Sequence, residues 1–166
     1  MSHESVRTLV VTGASRGIGA SVARLAGSRG YSVAVNYQSN ESAARKLVEE
    51  IRSAGGSAIS IRGDVGVEAD IIRLFKVAEQ GLGPLYGLVN NAGVTGGFSR
   101  VETLQAANLA QVLAANVAGT ILCSREAVKR MSTRHSGQGG VIVNISSLAA
   151  RTGGRCLSSR IIRCMR

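Results

Sequence analysis

The chain has 166 residues, of which 45% are hydrophobic and 18% charged, which predicts one packed globular domain and excludes an intrinsically disordered chain. Its net charge is +10, but residues 151–166 hold five arginines and no acid, so half of the excess lies there. With aromatic residues at only 3%, no base-stacking surface accompanies the charge, and we expect a solvated basic surface and no nucleic-acid partner.

Short apolar runs recur along the chain, and each is followed by polar residues or glycine. Runs of this length predict strands, and runs that are apolar throughout predict strands buried on both faces. The predicted strands are Leu9–Val11, Tyr31–Tyr37, Ser57–Ile61, Leu85–Val89 and Val141–Ile145.

Helical periodicity fills the intervals between these strands. The predicted helices run from Gly19 to near Gly30, over Glu41–Ala54 with Asn40 as N-cap, over Val67–Gln80, and over Leu109–Arg134 as one long helix or a pair. Alternating strands and helices predict βαβ units with right-handed crossovers. We therefore expect an α/β fold, a Rossmann-like, doubly wound parallel sheet in a three-layer αβα arrangement that stops after the fifth strand.

Three glycines separate the first strand from the first helix, at Gly13, Gly17 and Gly19. Glycine permits a tight turn and lets backbone N–H groups approach a pyrophosphate with no Cβ in the way. The positive end of the helix dipole would face the same ligand. The loop therefore predicts a phosphate cradle, although a glycine-rich turn alone is weak support.

Four polar motifs follow in order: Asp64-Val65, Asn90-Asn91-Ala92-Gly93, Asn116 in Ala115–Gly119, and Ser146-Ser147 after the fifth strand. Together with Thr12–Gly19 they resemble the ordered motifs of the short-chain dehydrogenase/reductase family over residues 7–150. The stretches 33–38 and 122–131 look most like bacterial reductases of the glucose 1-dehydrogenase-like or 3-oxoacyl-carrier-protein reductase-like type.

The resemblance implies hydride transfer between a nicotinamide cofactor and a small-molecule carbonyl or alcohol. It makes Ser147 the residue that orients the substrate oxygen, with Ser146 as alternate, and Asn116 the residue that helps to hold a water for proton relay. The expected cofactor-binding residues are Gly13, Ser15, Arg16, Gly17, Ile18, Gly19, Asn36, Tyr37, Asp64, Val65, Asn91, Ala92 and Gly93. The family also implies a helix-packed homo-oligomer.

The choice between the two nicotinamide cofactors depends on charge near the ribose. NAD-selective sites usually place an acid after the second strand to hold the ribose 2′-OH. Residues 36–39 include no acid, whereas Arg16 in the glycine loop offers a planar guanidinium to a 2′-phosphate. The sequence therefore favours NADP(H) over NAD(H).

The family's Tyr-x-x-x-Lys pair is absent at its expected place, roughly 13 or 14 residues after the serine. Those positions hold Arg160 or Ile161 and Cys164 or Met165, and no Tyr follows Tyr86. We interpret residues 1–155 as an incomplete NAD(P)-binding domain and residues 156–166 as an aberrant basic tail from a frameshift, which the coding DNA would test. A catalytically inactive dinucleotide-binding fragment is the alternative.

Location and metal binding are predicted from simpler patterns. No apolar run approaches the roughly 20 residues of a membrane span, and Met1–Glu4 lacks the basic start of a secretory leader, so we expect no membrane association. The three cysteines, Cys123, Cys156 and Cys164, have no metal-site spacing. We expect reduced thiols, no metal and a cytoplasmic location.

Overall fold

The structure is a computed structural model in which residues 7–97 and 99–148 are described. Five strands and five α-helices make up most of this part of the chain. The strands are β1 Thr8–Val11, β2 Ser32–Tyr37, β3 Ser57–Arg62, β4 Leu85–Asn90 and β5 Val141–Asn144. The helices are α1 Gly17–Ser28, α2 Glu41–Ser53, α3 Glu68–Leu82, α4 Ala106–Leu113 and α5 Thr120–Met131, with a π-helical turn at Ala114–Gly119 and 3-10 turns at Val101–Thr103 and Thr133–His135.

The five strands form one parallel sheet in the order β3-β2-β1-β4-β5. The chain winds outward from β1 in one direction through β2 and β3, and in the other through β4 and β5. This order confirms the predicted Rossmann-like, doubly wound fold. The carboxyl ends of β1 and β4 are adjacent, and this reversal point is where open α/β sheets bind ligands.

Two hydrophobic cores cover the two faces of the sheet, as the predicted three layers require. Alternate side chains of a strand point to opposite faces, so Val11 enters one core and Val10 the other. The first core lies under α1 and α2, and it contains Leu47 and Tyr37. The second core lies under α3 and α5, with Phe75 fully buried at its centre.

The long helix predicted over Leu109–Arg134 is three consecutive helical segments, α4, the π-helical turn and α5. By length and composition, Ala106–Met131 could cross a membrane, with a mean hydropathy of 1.4. The core helix of a folded domain meets the same criterion, and α5 packs its Cys123, Ala127 and Met131 into the second core. Other apolar side chains of this helical stretch are 45–62% exposed, namely Leu109, Leu113, Val117, Ile121 and Val128.

Cys123 is the one cysteine within the described part of the chain, where it is a free, buried thiol. Burial, followed by the nearby Glu126 carboxylate, raises the pKa of this thiol to about 12. A thiol with so high a pKa is unreactive at neutral pH. The other two cysteines and the predicted tail, residues 156–166, lie outside the described residues.

Candidate functional site

A cavity of about 590 Å³ opens at the carboxyl ends of β1, β2, β3 and β4. Ten of the thirteen predicted cofactor-binding residues line it: Gly13, Ser15, Arg16, Gly17, Asn36, Asp64, Val65, Asn91, Ala92 and Gly93. Ile18, Gly19 and Tyr37 are not among its lining residues. Nine further lining residues were not predicted: Gln38, Ser39, Asn40, Gly63, Gly66, Val94, Gln111, Ala114 and Ala115.

The glycine loop lies directly against the turn that follows β4. A Cβ on Gly13 would come 2.8 Å from the Ala92 Cα, and Gly13 also has a φ of +61°. A Cβ on Gly19 would overlap the side-chain amide of Asn91. Gly19 is thus needed for close packing of α1 against the turn rather than for contact with the cavity.

Thr12 fastens the end of β1 to the same turn. Its hydroxyl accepts hydrogen bonds from the N–H groups of Asn91 and Ala92, both at 3.0 Å. The Asn91 side-chain amide donates in return to the carbonyl oxygens of Thr12, at 2.9 Å, and Gly13, at 3.1 Å. Thr12 was not a predicted site residue, although its place at the start of the glycine motif indicated it.

Asn36 holds the glycine loop from the other side and is 2% exposed. Its Oδ1 accepts from Gly13 N at 3.1 Å, and its backbone carbonyl accepts from Ala14 N at 2.7 Å. Its side-chain amide donates to the carbonyls of Gly63, at 3.0 Å, and Ile61, at 3.4 Å. Asn36 therefore lines the cavity, but its polar atoms support the loop.

Tyr37 and Ile18 take positions away from the cavity. Tyr37 is 6% exposed and belongs to the first core, because the alternation along β2 turns it away from Asn36. Ile18 is 62% exposed on the first turn of α1. Neither side chain lines the cavity, although both residues were predicted to bind the cofactor.

The lining of the cavity combines one cation with uncharged polar groups and one acid. Arg16 is the exposed N-cap residue of α1, and no ion pair is formed by it within the described part of the chain. Asp64 accepts from Gln38 Nε2 at 2.7 Å through Oδ2 and from Gly66 N at 2.8 Å through Oδ1. The Asp64 N–H donates to Asp70, and with Arg73 it lowers the pKa of that carboxyl.

The π-helical turn carries Asn116 to the edge of the cavity. The Asn116 side chain forms two hydrogen bonds with the backbone of Val94. Its Oδ1 accepts from Val94 N at 2.9 Å, and its Nδ2 donates to Val94 O at 2.8 Å. Val94 lines the cavity, whereas Asn116 does not. The side-chain amide is thus committed to holding the loop after β4.

Ser146 and Ser147 follow β5 at the same edge of the sheet, and both are exposed. They are not among the lining residues of the cavity. Across residues 7–97 and 99–148, no group of three or more His, Cys, Asp or Glu side chains could hold a metal ion.

Comparisons with known proteins identify the chain's relatives. The model of the short chain dehydrogenase family matches residues 7–159. An uncharacterized oxidoreductase, YgfF of Escherichia coli K12, is 46% identical over 144 residues, which cover 87% of this chain and 58% of the relative. The chain therefore spans less than two thirds of the length of this relative.

Solved structures agree with this match. A short-chain dehydrogenase/reductase from Serratia marcescens superposes with a TM-score of 0.82 at 30% identity, covering 97% of this chain and 62% of that one. A 7α-hydroxysteroid dehydrogenase, solved with NADH and 7-oxo glycochenodeoxycholic acid, superposes with a TM-score of 0.83 at 32% identity. That match covers 92% of this chain and 58% of the other protein.

Proposed function

The chain belongs to the short-chain dehydrogenase family, and from that premise we propose that its cavity binds a nicotinamide dinucleotide. The observation that carries the proposal is the glycine loop, where a Cβ on Gly13 would lie 2.8 Å from the Ala92 Cα. Glycine thus allows this loop to pack closely on the turn after β4, and both segments line the cavity. The cavity, at about 590 Å³, lies within the usual range for small-molecule and cofactor sites.

The groups at the start of α1 suit a pyrophosphate. The first turn of a helix has backbone N–H groups without intrahelical partners, and it carries a partial positive charge. The N-cap residue Arg16 makes no side-chain capping bond, and the first turn of α1 holds no acidic residue. Ser15 and Gly17 line the cavity beside it.

We further propose that the site prefers NADP(H) to NAD(H). Arg16 supplies a guanidinium without an ion-pair partner within the described residues, which suits a ribose 2′-phosphate. The residues after β2 that line the cavity, Gln38, Ser39 and Asn40, are uncharged and would not repel that phosphate. The NADH in the hydroxysteroid dehydrogenase complex belongs to that protein, which makes a direct measurement necessary.

The preference is tested by titrating the protein with NADPH and NADH and following the cofactor's fluorescence. Replacing Arg16 with Ala should weaken NADPH binding about tenfold or more, because a charge-assisted hydrogen bond is lost, and should change NADH binding little. Arg29→Ala removes the same charge from the other end of α1 and serves as the matched control. Equal affinity for both cofactors, or an unchanged NADPH affinity in Arg16→Ala, would contradict the preference.

For the reaction, we propose hydride transfer between NADP(H) and a small carbonyl or alcohol substrate. The bound nicotinamide would supply or accept the hydride. Ser147 would orient the substrate oxygen, and Asn116 would hold Val94 in the loop beside the cavity. Consumption of NADPH in the presence of a panel of aldehydes and ketones tests this assignment.

Cofactor binding without turnover is the second candidate function. It is favoured by the residues at the expected Tyr and Lys positions, which are Arg160 or Ile161 and Cys164 or Met165. These residues lack the phenol and amine that the family uses for proton transfer at neutral pH. Saturable NADPH binding with no NADPH consumption across the carbonyl panel would support this candidate over the first.

We also propose that the chain forms a homo-oligomer through the outer face of α4, the π-helical turn and α5. Leu109, Leu113 and Val117 follow one another at intervals of four residues on this face, and each is about half exposed. Spacing of this kind makes one continuous apolar stripe along a helix. An exposed apolar stripe is typical of a protein–protein contact.

A further inference from the structure

A short series of hydrogen bonds runs beneath the candidate site, starting from Asn90 at the end of β4. Asn90 is 4% exposed. Its side-chain Nδ2 donates to Asn144 Oδ1 at 2.9 Å and to Ser124 Oγ at 3.1 Å, and it lies 3.4 Å from Thr120 O. One buried amide thus joins β5 to α5.

From α5 the series continues toward the π-helical turn. Ser124 Oγ donates to the carbonyl of Thr120 at 2.7 Å. The Thr120 hydroxyl then donates to the carbonyl of Asn116 at 3.0 Å. The Asn116 side chain in turn bonds to the backbone of Val94, which lines the cavity. The hydroxyl of Ser124 therefore stands between the end of β5 and the turn that carries Asn116.

On the other side, the series reaches the end of β5. Asn144 pairs in register with Asn90, and the Ile145 N–H donates to the Asn90 carbonyl at 2.9 Å. The next residues are Ser146 and Ser147. The backbone and the side chain of Asn90 therefore both hold the strand end from which Ser147 follows.

We propose that Ser124 is a positioning residue that fixes the end of β5, and with it Ser147, relative to Asn116. The inference rests on the proposed function, which gives those two residues their roles. A hydroxyl can accept one hydrogen bond while it donates another, and Ser124 does both at once. Alanine would remove that acceptor and leave the N–H of Asn90 only the longer contact to Thr120 O at 3.4 Å. The Asn90 side chain, and Asn144 bonded to it, would then be held less firmly.

The inference is tested on the cofactor-free protein by amide hydrogen exchange, which is measured by NMR. In Ser124→Ala, exchange at the Ile145 N–H should become about fivefold faster, because a typical buried hydrogen bond changes a local opening equilibrium by that factor. The side-chain amide resonances of Asn116 should shift as well. Ser124→Thr keeps the hydroxyl and should restore both readouts.

Ser28→Ala is the matched control, since among the described residues the Ser28 hydroxyl on α1 bonds to the Leu25 carbonyl alone. It should leave Ile145 and Asn116 unchanged. The inference is overturned if Ser124→Ala also leaves Ile145 exchange within twofold of the wild type, or if Ser124→Thr folds and restores neither readout. A general loss of stability would not produce both effects together, namely a shift of the Asn116 resonances and its reversal in Ser124→Thr.

Asn144→Leu provides a second approach if Ser124→Ala does not fold. It removes the acceptor at the other end of the series, and Asn144→Asp keeps an accepting oxygen. Asn144→Leu should shift the Asn116 side-chain resonances, and Asn144→Asp should shift them less; unchanged resonances in both would overturn the inference. Because no cofactor is present, failure of NADPH binding would count against the proposed function alone.

Discussion

Gly13 and Gly17 share a left-handed backbone conformation but differ in the space around them. Their φ angles are +61° and +58°. A Cβ on Gly13 would lie 2.8 Å from the backbone Cα of Ala92, whereas a Cβ on Gly17 would meet nothing within 4 Å. The pair therefore separates the cost of backbone strain from the cost of a steric clash.

Replacing each glycine with Ala should destabilise the protein to different degrees. Gly17→Ala should lower the free energy of unfolding by about 1 kcal/mol, because alanine pays the left-handed strain alone. Gly13→Ala should lower it by about 2–4 kcal/mol, because the loop must also move away from Ala92. Urea denaturation followed by circular dichroism measures both values, and equal losses would refute the steric role of Gly13.

Asn36 and Tyr37 mark the limit of sequence reasoning at the scale of single residues. Both follow the apolar part of β2, and both were predicted to meet the cofactor. Asn36 lies at the cavity, but its side chain forms hydrogen bonds with Gly13, Gly63 and Ile61, whereas Tyr37 packs in the first core. Which face of a strand a residue occupies depends on the register with β1 and β3, and that register is a property of the folded sheet.

At the scale of whole elements, strands and helices were predictable because each has its own hydrophobic period. The predicted Leu9–Val11 and Val141–Ile145 differ from β1 and β5 by one residue. The π-helical turn was not predicted, and within it the Asn116 side chain bonds to Val94, which is 22 residues away in the chain. No local pattern records such a contact.

A helix was predicted over Leu109–Arg134, but the outward orientation of the apolar stripe, Leu109, Leu113 and Val117, was not predicted. Ile121, four residues after Val117 and 62% exposed, extends this stripe into α5. Ile121→Glu should dissociate the homo-oligomer, with a dissociation constant raised about 30-fold or more, because it would bury a carboxylate without a partner in an apolar contact. Analytical ultracentrifugation measures the change.

Leu25→Glu is the control for this prediction, because Leu25 is 56% exposed on α1 and lies off the stripe. It should leave the oligomer intact. A wild-type chain that sediments as a monomer, or an oligomer insensitive to Ile121→Glu, would rule out this face as the contact.

At the scale of the whole molecule, a charge cluster centred on the buried Glu126 joins α5 to α3 over the second core. The Glu126 carboxylate, 4% exposed, contacts Arg130 Nη1 at 2.8 Å, Lys129 Nζ at 2.9 Å and Arg125 Nη2 at 3.1 Å. Arg130 extends the cluster to Glu79 on α3 at 2.7 Å. Opposite charges inside a partly buried site make such a cluster sensitive to protonation.

The stability of the folded chain should therefore fall in acid through Glu126. Burial alone would raise the pKa of this carboxyl, but hydrogen bonds from Lys129 and Arg130 outweigh it and lower the pKa to about 2, from 4.5. Because the folded-state pKa is the lower one, the stabilisation is complete above pH 4.5 and is lost as the pH falls toward 2. The resulting loss in the free energy of unfolding is on the order of 3 kcal/mol.

Urea denaturation of the wild type and of Glu126→Gln at pH values between 7 and about 2.5 isolates this contribution. Glu126→Gln should be less stable than the wild type at pH 7, because the cations of α5 lose their buried partner, and the difference should shrink as the pH falls. Glu102→Gln removes an exposed carboxylate paired with Arg100, and it should follow the wild-type curve because exposed ion pairs contribute little. A difference between wild type and Glu126→Gln that stays constant with pH would show that the carboxylate contributes packing rather than charge.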